Sequence, residues 1–174
     1  MERIKLTSIV VCDAGPIIHL DEVGYLHLLN DFSKVSVTLG VKKEVLKHRQ
    51  IRFEAYDIPW LFVPPNFPLG KPIQMMCQMF SLDSGEMEAL SILSKAPETI
   101  FLTDDAAARL VATQLGYKVH GTIGVLIRTI RRGMMKPKEV IDVLNDISSM
   151  STLYIKNSLM EEIITRLKHE YQVM

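Results

Sequence analysis

The sequence predicts an α/β fold in which a mainly parallel sheet is covered by helices on both faces. Short β-branched or apolar runs alternate with segments of helical period, and those segments are about 10 to 15 residues long, enough for crossover connections. The apolar runs are also near-continuous, as strands buried on both faces require. A chain of 174 residues, 48% of them hydrophobic, suits one globular domain with ample core and no need of disulfides or structural metal.

The elements follow in order. "TSIVVC" (7–12) is β-branched and stops at the Gly15-Pro16 break, and "PIIHLDEVGYLHLL" (16–29) then has helical spacing with proline tolerated in the first turn. "KVSVT" (34–38) alternates as a short strand, and "VKKEVLKHR" (41–49) returns to helical period. In "DIPWLFVPPNFPLGK" the residues Pro59, Pro64, Pro65, Pro68 and Gly70 predict a loop or excursion over about 57–72. "SGEMEALSILSKA" reads as a helix, "TIFLT" as a strand, "DAAARLVATQLG" as a helix closed by Gly116, and "YKVHG" as a last short strand. Beyond Gly121 three helical segments follow: "TIGVLIRTIRRG", "KPKEVIDVLNDIS" and "SLMEEIITRLKHEY". The expected organisation is an α/β domain over 8–133 with a helical extension, 134–174, packed on it.

Lys plus Arg and Asp plus Glu both number 20, so no net positive field favours indiscriminate nucleic-acid binding, and any basic surface must be local. The two cysteines, Cys12 and Cys77, form no CxxC pair, and the five histidines form no HxH or HExxH pattern, which leaves a nitrogen- or sulfur-ligated zinc site unsupported. The N-terminal "MERIKLTSIVVCD" lacks a secretory apolar core, and no run of about 18 apolar residues occurs, so a soluble, cytoplasmic protein is expected.

Acids at element boundaries carry the chemistry. Asp13 ends the first strand, where open α/β sheets collect functional groups. Glu44 lies early in the helix after the second strand, Glu86 opens the helix of "LDSGEMEAL", and Asp104 and Asp105 follow "TIFLT". Gathered on one sheet edge, these carboxylates would cost several kcal/mol to keep dry unless they bind cations. Oxygen ligands alone favour Mg2+ or Mn2+. Each acid also has a plainer account: Asp83 and Glu86 are spaced as a capping box, Asp104 as an N-cap with Asp105 favoured by the same helix's dipole, Glu44 as a solvated helix charge, and Asp13 as an Asx turn. Glu88, two positions beyond Glu86, points about 200° away around the helix and is expected in a supporting role or in solvent.

The motifs "VVCDAGPIIHL", "EVL", "LDSGEMEAL", "FLTDDAAARLVATQLGYKVHGTIGVLIRTIRRGMM" and "SLMEEIITRL" together, in this order, resemble the PIN-domain family, within it the prokaryotic proteins related to VapC-type toxins, over about residues 8–167. The resemblance implies a Rossmann-like three-layer α/β/α sandwich and a ribonuclease site that uses one or two Mg2+ or Mn2+ ions. It implies Asp13, Glu44, Glu86 and one of Asp104 or Asp105 as the acids, with Asp13, Glu86 and that last acid holding metal, and Thr103 as a small polar residue beside them. RNA as substrate, homodimerisation and a small antitoxin protein as partner are further implications.

Phosphate contacts are expected from "KKEVLKHRQIR" or "RTIRRGMMKPK", with Lys42, Lys43, Arg49, Arg131 and Arg132 as candidates against the alternative of solvated helix faces. Trp60 and Phe62 either stack on unpaired bases or join the core. "QMMCQMF" and "RGMMK" read as gap-filling core or as an apolar interface. Two other function classes compete with a nuclease: a catalytically idle binding module of the same fold, and a haloacid-dehalogenase-type phosphohydrolase. The latter needs a second Asp two residues after the first, where this chain has Gly15.

Overall fold

The computed structural model describes residues 8–64 and 68–173. Residues 1–7, to which Thr7 of the first predicted strand belongs, 65–67 within the Pro-rich stretch, and 174 lie outside them. Five strands, β1 (Ile9–Cys12), β2 (Lys34–Thr38), β3 (Trp60–Val63), β4 (Ile100–Leu102) and β5 (Lys118–His120), form one sheet in the order β3-β2-β1-β4-β5, every neighbouring pair parallel. Helices α1 (Ala14–Glu22), α2 (Leu39–His48), α3 (Lys71–Met79), α4 (Ser84–Leu93), α5 (Ala106–Gln114), α6 (Thr122–Arg131), α7 (Pro137–Met150) and α8 (Asn157–Tyr171) complete the chain.

The period of two along each strand divides the interior into two cores. Val10 and Cys12 of β1, Val35 and Val37 of β2 and Leu102 of β4 face a larger cluster with Ile17, Leu20, Val41, Leu126, Val140, Leu144, Met160 and Leu167. Helices α7 and α8 thus contribute to the same core as α1, α2 and α6. Val11 and Phe101 point the other way, to Cys77, Leu90, Leu93, Val111 and Ala112 of α3, α4 and α5. The arrangement is the expected three-layer sandwich, and its alternation is why the strands read as continuous apolar runs.

Two local differences from the sequence reading have physical causes. The Pro-rich stretch carries the edge strand β3, because Pro59 and Pro64 flank it and an edge strand needs donors on one side only. Trp60 and Phe62 there pack edge-on against Phe53, with ring centroids 5.1 and 5.4 Å away, and the Trp60 indole N–H donates to Phe53 O at 3.2 Å. The first helix stops at Glu22, and a 3-10 helix over Leu26–Asp31 follows, since Gly24 takes φ 78° and turns the chain between them. Cys12 and Cys77 are buried and not bonded to each other.

The strand order places a topological switch point between β1 and β4. From β1 the chain winds outward to β2 and β3 and then crosses back to β4 and β5, leaving a crevice at the carboxyl ends of the two central strands. Phe101, fully buried in the smaller core, pins β4 at this point. Phe101→Ala is expected to cost about 3–5 kcal/mol in urea unfolding, the range for emptying a buried phenylalanine site.

Candidate active site

Asp13 stands where β1 becomes α1. Its N–H still donates to Leu102 O at 2.9 Å as part of the sheet, while its side chain caps the helix, Oδ1 accepting from Ala14 N–H at 2.8 Å. Oδ2 accepts from the Thr103 hydroxyl at 2.9 Å. Only 8% exposed, Asp13 is held well above the usual carboxylate range, to about 6, by burial, with the charges of Asp83 and Glu44 adding to the effect. The two hydrogen bonds oppose the shift without cancelling it.

Thr103 is itself fully buried at the end of β4, and its hydroxyl also accepts from the Asp105 N–H at 3.2 Å. The N-cap of α5 is Asp105 and not Asp104 as expected: Asp105 Oδ1 accepts from Ala108 N–H at 2.8 Å, while both Asp104 oxygens are taken by Thr122. Glu86 closes a capping box with Asp83: Asp83 Oδ1 accepts from Glu86 N–H at 2.8 Å, and Glu86 Oε2 from Asp83 N–H at 2.9 Å. Although bonded in this way, Glu86 is pushed up to about 8 by burial, then by the charges of Asp83, Asp105 and Asp13. Glu44 is raised by its own partial burial, then by Asp83.

Four elements therefore bring Asp13, Glu44, Asp83, Glu86 and Asp105 within electrostatic reach of one another. Asp83 was legible in the sequence only as a cap; its spacing from Glu86 gave no sign that its charge bears on Asp13, Glu44 and Glu86 together. Asp104 is committed elsewhere. Its Oδ1 accepts from Thr122 N–H at 2.7 Å and its Oδ2 from the Thr122 hydroxyl at 2.6 Å, with His19 Nδ1 2.8 Å away, so it ties the start of α6 to α1. Glu88 turns from Glu86 towards the first turn of α2, its buried Oε2 2.9 Å from where a β-carbon on Gly40 would stand.

The donor set fits a hard divalent ion in chemistry. It is all carboxylate, two of its members are buried, and among the described residues Asp83 Oδ2, Glu86 Oε1 and Asp105 Oδ2 accept no hydrogen bond. No three His, Cys, Asp or Glu side chains among those residues converge closely enough to hold an ion as they stand. Asp13, Asp83, Glu86 and Asp105 each accept from a backbone N–H.

Most of the expected phosphate contacts are otherwise engaged. Lys42 Nζ lies 3.9 Å from the Phe62 ring centroid, Arg49 Nε donates to Asp21 Oδ2 at 2.7 Å, and Arg132 Nε pairs with Asp31 at 3.0 Å. Lys43 and Arg131 are exposed.

A family model described as a PIN domain matches residues 9–169. The chain belongs to the PIN-domain family. PIN domains are in general nucleases that work with divalent metal ions, so nuclease-type activity is indicated for this chain. No curated protein matches it. Among the described residues no helix is long and apolar enough to cross a membrane.

The raised acids make stability fall with pH. A folded pKa above the unfolded value means that the folded state binds the proton more tightly, so Asp13 stabilises the fold fully below about 3.8, and this is lost as pH rises through about 6. At pH 8 in EDTA, charged Asp13 is worth about 2–3 kcal/mol of lost stability. Asp13→Asn is therefore expected to raise the melting temperature by about 4–12 °C at pH 8 and to leave it nearly unchanged at pH 4. Equal melting temperatures at pH 8 would contradict the assigned burial cost.

Proposed function

We propose that the PIN domain is an endoribonuclease that hydrolyses RNA phosphodiester bonds with Mg2+ or Mn2+ held at the switch point. The observation supporting it is the meeting of buried Asp13 and Glu86 with Asp83, Asp105 and Glu44 at the carboxyl ends of β1 and β4, where Lys47 and His48 partly offset Glu44 and no ion pair among the described residues reaches Asp13, Asp83, Glu86 or Asp105. Such a cluster raises its own energy until positive charge arrives.

Asp13, Glu86 and Asp105 would hold the metal, with Asp83 and Glu44 adding negative charge within electrostatic reach. A bound Mg2+ or Mn2+ supplies Lewis acidity for phosphodiester hydrolysis, which is why no catalytic Ser or His is needed. Thr103 fixes Asp13 Oδ2 and the Asp105 backbone with one hydroxyl and so sets the separation of two ligands. Asp104, with both oxygens hydrogen-bonded, is a positioning residue that anchors α6. Between the adjacent acids, this favours Asp105 for the metal.

Cleavage of single-stranded and structured RNAs with Mn2+ is expected from the wild type, to stop in EDTA, and to fall about 100-fold or more in Asp13→Asn and Asp105→Asn. Asp104→Asn is expected to lower the melting temperature more than Asp105→Asn does. Cleavage that survives both EDTA and Asp13→Asn would overturn the assignment. The motif order extends the proposal to a toxin role, for which wild-type expression would arrest growth and Asp13→Asn would relieve it. Unchanged growth on wild-type expression would count against that role.

A further inference from the structure

A cavity of about 320 Å3 lies between the β4–β5 side of the sheet and the last turns of α6, lined by Phe32, Ile100, Leu102, His120, Arg128 and Arg131, among others. None of the clustered acids lines it, although Leu102 and His120 adjoin Thr103 through the sheet. Thr122, the first residue of α6, holds Asp104, and the ten-residue helix carries Arg131 on the order of 15 Å away from that end.

Its walls differ in kind. Ile100, Leu102 and Phe32 form an apolar side, and the Arg128 guanidinium lies over the Phe32 ring, 4.8 Å from its centroid. Arg128 is held there by Asp31, to whose Oδ2 its Nε donates at 3.0 Å. Arg131 is different: it is exposed and has no acidic partner among the described residues. At the mouth, His120 is kept towards its neutral form by burial and by the positive charges of Arg109, Arg128 and Arg131.

Basic residues in the last turn of a helix also offset its dipole, and that accounts for arginines at this end of α6. It does not account for a cavity between them and the sheet, whose lining includes Gly124, where a β-carbon would come within 3.1 Å of His120 Cβ. The volume falls at the small end of the range for small-molecule pockets, about 300–1,000 Å3, which suits one nucleotide and not a folded partner. An apolar side beside a fixed guanidinium suits a base, and an unpartnered guanidinium suits a phosphate.

We propose that this cavity is a nucleotide-binding site, with the base against Phe32, Ile100 and Leu102 and the phosphate on Arg131. The nucleotide is either free or one unit of an RNA chain. The site does not depend on the metal chemistry proposed for the acids.

Calorimetry with AMP in EDTA, where no metal at the acids can hold the phosphate, tests it. AMP is expected to bind more tightly than adenosine or inorganic phosphate, Arg131→Ala to weaken it about tenfold, Arg131→Lys less, and Asp13→Asn not at all. Displacement of AMP by a short 2′-O-methyl RNA assigns the site to a chain nucleotide, and failure to displace it assigns it to a free one. The proposal is overturned if AMP does not bind at millimolar concentration, if Arg131→Ala binds as the wild type does, or if a glutamate-rich peptide binds where AMP does not. Matching melting temperatures of wild type and Arg131→Ala keep a loss of affinity distinct from a loss of fold.

Discussion

The Thr103 hydroxyl joins the two strands on which the site depends. It donates to Asp13 Oδ2 at 2.9 Å and accepts from the Asp105 N–H at 3.2 Å, in a position closed to solvent. A hydrogen-bonded threonine at this depth is satisfied only if β1 and β4 lie side by side in register, which the pairing of Cys12 with Leu102 provides. The strand order then turns the chain away on both sides and leaves the acids at the rim of the crevice. Topology and one hydroxyl thus place carboxylates from distant parts of the sequence within reach of each other.

That placement costs stability. A buried carboxylate favours its protonated form, and Glu86 is held up to about 8 although it closes a good capping box. Caps explain why these residues stand at helix starts, but a cap needs no burial and no crowding by other acids. The excess charge is the feature that the local geometry leaves unexplained, and a divalent ion is the simplest group that would relieve it.

Much of the fold was legible because the relevant signals are local. β-branched runs ending in Gly-Pro or Asp marked β1 and β4, and the Asp83–Glu86 spacing marked the start of α4. The edge strand β3 was hidden because its signals, Trp60 to Val63, sit between prolines that a central strand could not accept. The site was legible as a set of acids but not as a geometry. Asp104 and Asp105 are neighbours in sequence, and only partners 85 and 18 residues away, His19 and Thr122, separate their roles. Asp83 looked like a cap because it is one. The ion pairs of two basic candidates were hidden for the same reason: Arg49 and Arg132 meet Asp21 and Asp31, acids that spacing could not connect to them.

The central claim is that the buried acids await a divalent cation, and proton release on binding tests it most directly. Glu86, held above neutrality, must give up its proton when metal arrives, so Mn2+ binding at pH 7 should release about one proton, read as an enthalpy that changes with the ionisation heat of the buffer. Binding at millimolar Mn2+ or below, with that release, and its loss in Asp13→Asn, is the predicted result. No binding in that range, or binding that releases no proton and is indifferent to Asp13→Asn, would contradict the account.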